Sequence, residues 1–261
     1  MDRIVTMMPI YNGNPGMIDL AVKSVLAQGE NVEIVMCNDG SEKEFTKNLR
    51  NKYGKNPKIT LIENKKNMGL PATDNVIRNH ILNNLRSKCK YVAWIAGDDE
   101  WRPDKIKMQL EYIKNNPVDI CYTDTVMITD DNQAFASPSQ DFDFNLLCNV
   151  NFINGSSILW DMKVINRLAW NEEFLNVEDW DYHIRCYKEG FTFGHLKEML
   201  TLNRRHTGNI SNNREKEAYY HAKVCLAHNL PIEIPAARMM RIGVPSMIRG
   251  IMKAWTEAKA K

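Results

Sequence analysis

Apolar and polar positions alternate along the first half of the chain in two rhythms. Residues 3–8 form a short run of β-formers, and residues 16–27 then place Ile18, Ala21, Val22, Val25 and Leu26 on one face at helical spacing. The same succession continues, with strands predicted at 32–37, 59–62 and 91–95 and helices at 44–53, 71–84 and 103–115. Pro71 and Pro103 open the last two helices, where the fixed φ and missing N–H of proline suit the first turn. This alternation predicts an α/β fold: a doubly wound, mostly parallel sheet with flanking helices. Ligands of such sheets sit beyond the carboxyl ends of the strands, so the residues after each strand carry the functional question.

The second half is less regular. Residues 119–129 and 155–160 read as strands, and 180–187 as a helix with Trp180, His183, Ile184 and Tyr187 inward. Two short strands are expected at 191–196 and 199–203, and the pattern beyond 212 is helical with a break around Pro231 and Pro235. The expected organisation is one α/β domain over 1–212 and a C-terminal helical appendage over 213–261. No internal repeat is present.

Composition changes this picture little. Hydrophobic residues make up 44% and charged residues 25% of the chain, enough for a sizeable core. The net charge of +2 and the interspersed acids argue against a nucleic-acid partner. Six cysteines, with no C-x-x-C pair and no histidine at zinc-ligand spacing, read as reduced, partly buried thiols. With no apolar run of membrane-spanning length, the expected location is cytoplasmic.

The chemistry collects at the strand ends. Pro9-Ile10-Tyr11-Asn12 follows the first strand, Asn38-Asp39-Gly40-Ser41 the second and Asn67-Met68-Gly69 the third. Asp98-Asp99-Glu100-Trp101-Arg102-Pro103-Asp104 follows the fourth. Each acidic pair alone is compatible with a turn or a helix cap. Together they put carboxylates on one sheet edge, where a diphosphate would be repelled unless a hard cation such as Mg²⁺ or Mn²⁺ stood between.

With Ser24-Val25-Leu26-Ala27-Gln28, Glu178-Asp179-Trp180-Asp181 and Arg204-Arg205-His206 added, the chain resembles the family-2 glycosyltransferases of GT-A fold, which build bacterial surface glycans. The segments fall in the family's order over the first four-fifths of the chain. The resemblance implies a nucleotide-binding half at 1–115 and an acceptor half at 116–212. It implies transfer of a sugar from a nucleotide-diphosphate donor, a UDP-sugar first of all, to a hydroxyl of a glycan or lipid-linked saccharide, with inversion. Pro9, Tyr11, Asn12 and Asp39 would hold base and ribose, with Asn67 and Gly69 beside them, and Asp98 would ligate a Mn²⁺ or Mg²⁺ cofactor. Asp99 would line the same pocket, with Trp101 and Pro103 fixing the loop and opening the next helix. Asp179 would be the general base, ionised at a helix start, with Glu178 as its nearest rival. Asp181 is expected to pair with Arg185 one turn on. His206 is either a second metal ligand or a solvated loop histidine. The turn Asn154-Gly155-Ser156-Ser157 either borders the sugar or begins a strand.

Two positions depart from the family's pattern. Ala96 stands where a further aspartate is usual, and Thr73-Asp74-Asn75 replaces Ala-Arg-Asn. An anion thus stands where a cation would face the diphosphate, and Arg78, Lys65 and Lys66 are the candidates to replace it. In the appendage, Met247, Ile248, Ile251, Met252 and Trp255 recur at helical spacing beside Arg249 and Lys253, after Arg238, Met239, Met240, Arg241 and Ile242. Such a stripe packs on the domain or on a second copy as a homodimer, or lies on an anionic membrane surface. A nucleotidyltransferase or a dehydrogenase is disfavoured, because no glycine-rich phosphate loop follows the first strand. A non-catalytic sugar-nucleotide or glycan-binding descendant of a transferase is the rival from another class.

Overall fold

The computed structural model describes residues 2–131, 133–206, 214–231 and 244–259. Its first half is built of β1 (Ile4–Ile10), α1 (Pro15–Leu26), β2 (Val32–Asn38), α2 (Lys43–Tyr53), β3 (Ile59–Glu63), α3 (Leu70–Asn84) and β4 (Tyr91–Trp94). These strands lie in the order β3-β2-β1-β4, all parallel, with Ile4 opposite both Val32 and Tyr91. The near-continuous apolar run of β1 follows from burial of both its faces. Ile4, Met8 and Ile10 pack with Ile18, Val22 and Leu49, whereas Val5 and Met7 pack with Ile77 and Ile81 of α3. The two-residue period sorts the strand between two cores.

The second half contributes β5 (Glu100–Trp101), α4 (Lys105–Asn115), β6 (Ile120–Thr129), β7 (Ala134–Ser137), α5 (Phe144–Asn149), β8 (Leu159–Asp161), α6 (Met162–Arg167), α7 (Glu178–Lys188) and β9 (Phe193–Arg205). The sheet continues β4-β8-β6-β9-β5, with β7 on the outer part of β6. β8 runs antiparallel to both its neighbours and so joins the two halves. The fold class and the first seven elements match the expectation closely.

Three details differ. Residues 155–160 are not one strand: Gly155–Ser157 is a 3-10 turn before β8. Asn154 accepts from the Ser156 N–H and Ser157 Oγ donates to the Asn154 carbonyl, so local side chains outcompete a ladder. The two strands expected at 191–203 are one, because β9 follows β6 throughout and absorbs Lys197 and Glu198 in a bulge between the Leu196–Thr123 and Met199–Asp124 pairs. Tyr187 is 42% exposed, stacked on Phe144 at 4.1 Å, and Tyr182 and Cys186 take the interior positions of α7 instead.

The appendage pairs α8 (Arg214–His228) with α9 (Val244–Lys259). Gly250 lets the helices close together; a Cβ there would lie 2.7 Å from the Glu215 carbonyl oxygen. Ile248 and Met252 remain exposed on α9. No helix among the described residues is long and apolar enough to cross a membrane. The boundary at 212 and the basic, Met-rich stretch at 238–242 lie outside the described residues, as do the side chains of Met247 and Trp255. No disulfide joins any of the six cysteines, and five of them are buried.

Candidate active site

A cleft of about 840 Å³ opens at the carboxyl ends of β1, β2 and β4. Its outer wall begins with Asn12, whose φ of 42° turns the chain sharply after β1. The Asn12 N–H donates to Ser41 Oγ at 3.0 Å and its side-chain oxygen accepts from the Glu42 N–H at 2.9 Å, tying the first two strand-end loops together. Asp39 is buried and its oxygens accept from Asn64 Nδ2, the Met68 N–H and the Gly69 N–H at 2.8–3.0 Å. The same carboxylate that faces the cleft therefore also holds the 67–69 loop in place. Asp39→Ala would leave two backbone donors without their acceptor. It should cost on the order of 3 kcal/mol in a denaturant melt and weaken nucleotide binding with or without cation; loss restricted to the presence of Mn²⁺ would contradict this placement.

Gly40 follows Asp39 at φ +66°, where a Cβ would sit 2.2 Å from the Lys66 carbonyl carbon. Backbone atoms cannot yield as a side-chain tip can. Gly40→Ala should therefore destabilise the fold by about 2–3 kcal/mol, measured as a lowered denaturation midpoint at unchanged m-value.

The loop after β4 is anchored from below. Ser24 Oγ accepts from the Trp101 N–H, Gln28 accepts from the Ile106 N–H and donates to the Arg102 carbonyl, and Trp101 Nε1 donates to the Ser156 carbonyl. This explains the Ser24–Gln28 spacing: Ser24 in the last turn of α1 and Gln28 just beyond its end both present side chains to the acidic loop. Asp99 is buried and accepts from Ser156, Asn203 Nδ2 and the Arg204 N–H. Burial first, and the Asp98 charge second, push its carboxyl up to about 6 despite these donors. Asp98 is partly buried, its Oδ2 2.9 Å from His206 Nε2 across 108 positions of sequence. Arg204 donates to the Asp98 carbonyl and pairs with Glu100, fixing the strand that delivers His206.

The inner end of the cleft is formed by α3, β4, β8 and α7. Asp179 lies in the first turn of α7, its Oδ1 accepting from the Trp180 N–H at 2.8 Å and its Oδ2 from Asn151 Nδ2 at 2.9 Å. Glu178 beside it is buried with Oε2 unpartnered, and burial followed by the Asp179 charge raises its carboxyl well above the usual range. Asp181 points away, bonded to Arg185 as expected and also to His228 of α8. Trp94, Trp160, Trp170, Tyr182 and His183 complete the lining, and burial lowers His183 to about 3.

Of the expected site residues, Pro9, Tyr11, Asn12, Asp39, Asn67, Gly69, Asp98, Asp99, Asp179 and His206 line this one cleft. Arg78 does not, and its expected place at the diphosphate is corrected here. Its guanidinium donates to the carbonyls of Ile165, Asn166 and Leu168, satisfying the C-terminal end of α6. Lys65 and Lys66 are exposed and absent from the cleft wall. Among the described residues, the arginine and lysine that line it are Arg205 and Lys216.

Residues 6–189 match the family model described as Glycosyl transferase family 2. The chain belongs to this family. Among relatives of this glycosyltransferase is the Escherichia coli UDP-Glc:alpha-D-GlcNAc-diphosphoundecaprenol beta-1,3-glucosyltransferase WfaP, 24% identical over 83% of each protein. Its fold is shared by S. aureus TarS in complex with UDP-GlcNAc, at a TM-score of 0.67 and 13% identity over 96% of this chain and 73% of that one. The Pyrobaculum calidifontis mannosyltransferase PcManGT in complex with GDP-Man and Mn²⁺ matches at a TM-score of 0.65 and 14% identity, over 99% of this chain and 75% of that one. The architecture is thus that of a GT-A glycosyltransferase.

Several lining residues escape a reading of the sequence. Trp160, Trp170 and Tyr182 look like ordinary core aromatics, and Trp170 does stack on Tyr182 at 4.4 Å. Asn203, which holds Asp99, carries no local signal, because its partner is distant in sequence; Ser156 stands out only as part of the 154–157 turn and not as a partner of Asp99. Asn75 was visible as part of a motif but not for its role: it clamps the Trp170 loop through the backbone N–H and carbonyl of Trp170.

Proposed function

We propose that this family-2 enzyme transfers a sugar from a UDP-sugar to an acceptor hydroxyl by single displacement with inversion, Asp179 being the general base. The observation that carries the reading is the pairing of Asp98 with His206 at one side of the cleft and Asp179 at its inner end. The 9–12, 39 and 67–69 loops between β1, β2 and β3 are the natural seat for base and ribose. The UDP-GlcNAc held by TarS and the UDP-Glc named for the E. coli relative support uridine. That relative's name also supports a lipid-linked saccharide as acceptor.

A divalent cation fits the chemistry of the donor set. Asp98 offers a carboxylate oxygen and His206 an imidazole nitrogen, and among the described residues no group of three such side chains gathers to hold a metal. Two protein ligands leave room for diphosphate oxygens and water, and the nitrogen favours Mn²⁺ over Mg²⁺. Bound there, the ion would offset the charge of the leaving nucleoside diphosphate; the manganese in the PcManGT complex supports this.

The remaining work belongs to the protein. As the acceptor oxygen bonds to the anomeric carbon, the bond from that carbon to the diphosphate oxygen breaks and the acceptor proton passes to Asp179. The Asn151 and Trp180 donors orient the Asp179 carboxylate, and the helix start favours its ionised form. The aromatic walls of the inner end restrict water, which would otherwise compete as acceptor. A thermal-shift screen of UDP-, GDP-, CMP- and dTDP-sugars with and without Mn²⁺ tests the reading, since selective binding raises stability by mass action. A UDP-sugar should give the largest shift and need the ion; a flat response to all four would overturn it.

A further inference from the structure

The inner end of the cleft holds three carboxyl groups, of which the proposed reaction uses one. We infer that Asp74 serves the transfer as a positioning residue in its neutral, protonated form, which leaves Asp179 as the ionised carboxylate of that chamber. The inference rests on the transferase reading given above.

The geometry is as follows. Asp74 sits in the first turns of α3, 2% exposed, and its Oδ1 accepts from Trp94 Nε1 of β4 at 2.9 Å. Glu178, Asp179 and Tyr182 of α7 line the same cleft as Asp74, and these three and the thiol of Cys37 on β2 are groups whose electrostatics couple to Asp74. None of these is a cation. On its own helix Arg78 is committed to the carbonyls of residues 165, 166 and 168. Two carboxylates that share one end of a cleft disfavour each other's ionisation, so one of the pair holds its proton to a higher pH. The environments decide which. Asp179 has two N–H donors on its oxygens and lies at the start of a helix, whereas Asp74 has a single indole donor and is the more deeply buried. The proton therefore resides on Asp74. Burial, reinforced by the Asp179 charge, raises the Asp74 carboxyl to about 8 against the lowering effect of the Trp94 bond.

The substitution that looked like a loss for phosphate binding thus acquires a role. A neutral carboxyl offers an O–H donor to the chamber and adds no charge, while the ionised form would compete with Asp179 for the acceptor proton. Above the Asp74 titration both carboxylates would be charged, and transfer should fall.

Two measurements test this. The first follows the carboxyl ¹³C resonance of Asp74, assigned by its absence in Asp74→Asn, as pH is raised. A midpoint near 8 is expected, and a midpoint below about 5, the range of an ordinary carboxylate, overturns the inference whether or not transfer is seen. The second compares UDP release from the UDP-sugar of largest thermal shift across pH. The parent should lose about tenfold per pH unit above its Asp74 titration, whereas Asp74→Asn should show no such limb. The amide keeps an acceptor for Trp94 and an N–H for the chamber, so Asp74→Asn should also turn over faster than Asp74→Ala. An unchanged alkaline limb in Asp74→Asn, or equal loss in both variants, overturns the inference. Failure of the parent to transfer any sugar would instead count against the transferase reading, and the resonance would still decide the protonation state.

Discussion

Asp179→Asn should lower turnover by about 10²–10⁴-fold, the usual worth of a general base, while leaving nucleotide affinity nearly unchanged. The Asp179 carboxylate lies on α7 at the inner end of the cleft, whereas the 9–12 and 39 segments that would seat the nucleotide stand at the ends of β1 and β2. Asn keeps the size of the side chain and an oxygen for the Trp180 N–H, and loses the charge that accepts the proton. Glu178→Gln is the control. Glu178 is buried and held neutral, so an amide resembles the form already present, and its effect should be much smaller. Assays of sugar transfer, or of donor hydrolysis where no acceptor is supplied, together with nucleotide binding, check both variants. Full turnover in Asp179→Asn would remove the catalytic assignment. A parent that binds nucleotide tightly and transfers nothing would favour the non-catalytic binder.

Asp98→Ala is expected to weaken Mn²⁺-dependent UDP binding by about 10²-fold, equivalent to about 2.7 kcal/mol, and to leave the thermal midpoint without ligand almost unchanged. The contrast with its neighbour explains why. Asp99 is buried and holds Asn203 and the Arg204 backbone, so it belongs to the scaffold. The Asp98 side chain is 26% exposed and meets the imidazole of His206 at 2.9 Å. Calorimetric titration of UDP with and without Mn²⁺ measures the effect. Binding equal to the parent in Mn²⁺ would place the ion elsewhere.

Much of the site was legible before any coordinates because GT-A chemistry is written at strand ends, and strand ends can be located from periodicity. The Pro9–Asn12 segment at the end of β1, Asp39, the 67–69 loop and Asp98 each end or follow a strand whose position the apolar pattern gives to within a residue or two. The start of α7 was similarly visible, with Asp179 in its first turn. Arg78 was misplaced for a physical reason. A position one turn from Asp74 tells which face of a helix a side chain occupies, but an arginine is long enough to reach the carbonyl end of another helix. That α6 ends within reach is a fact of packing between residues 78 and 165–168.

What the sequence by itself determined is the set of local units. These are a doubly wound α/β sheet, the carboxylates and small residues at its carboxyl edge, and a helical C-terminal segment. Each follows from short-range rules, the two- and 3.6-residue periods and the preference of proline, glycine and aspartate for particular turns. The tertiary structure alone decided which units meet. It set Asp98 against His206 across 108 positions, enclosed Asp99 between Ser156 and Asn203, and merged two expected strands into β9 along β6. It also turned Asp74 from an apparent defect at the phosphate into a buried carboxyl in the same cleft as Asp179. Burial and proximity set these properties, and both depend on contacts between residues far apart in the chain, which local pattern does not encode.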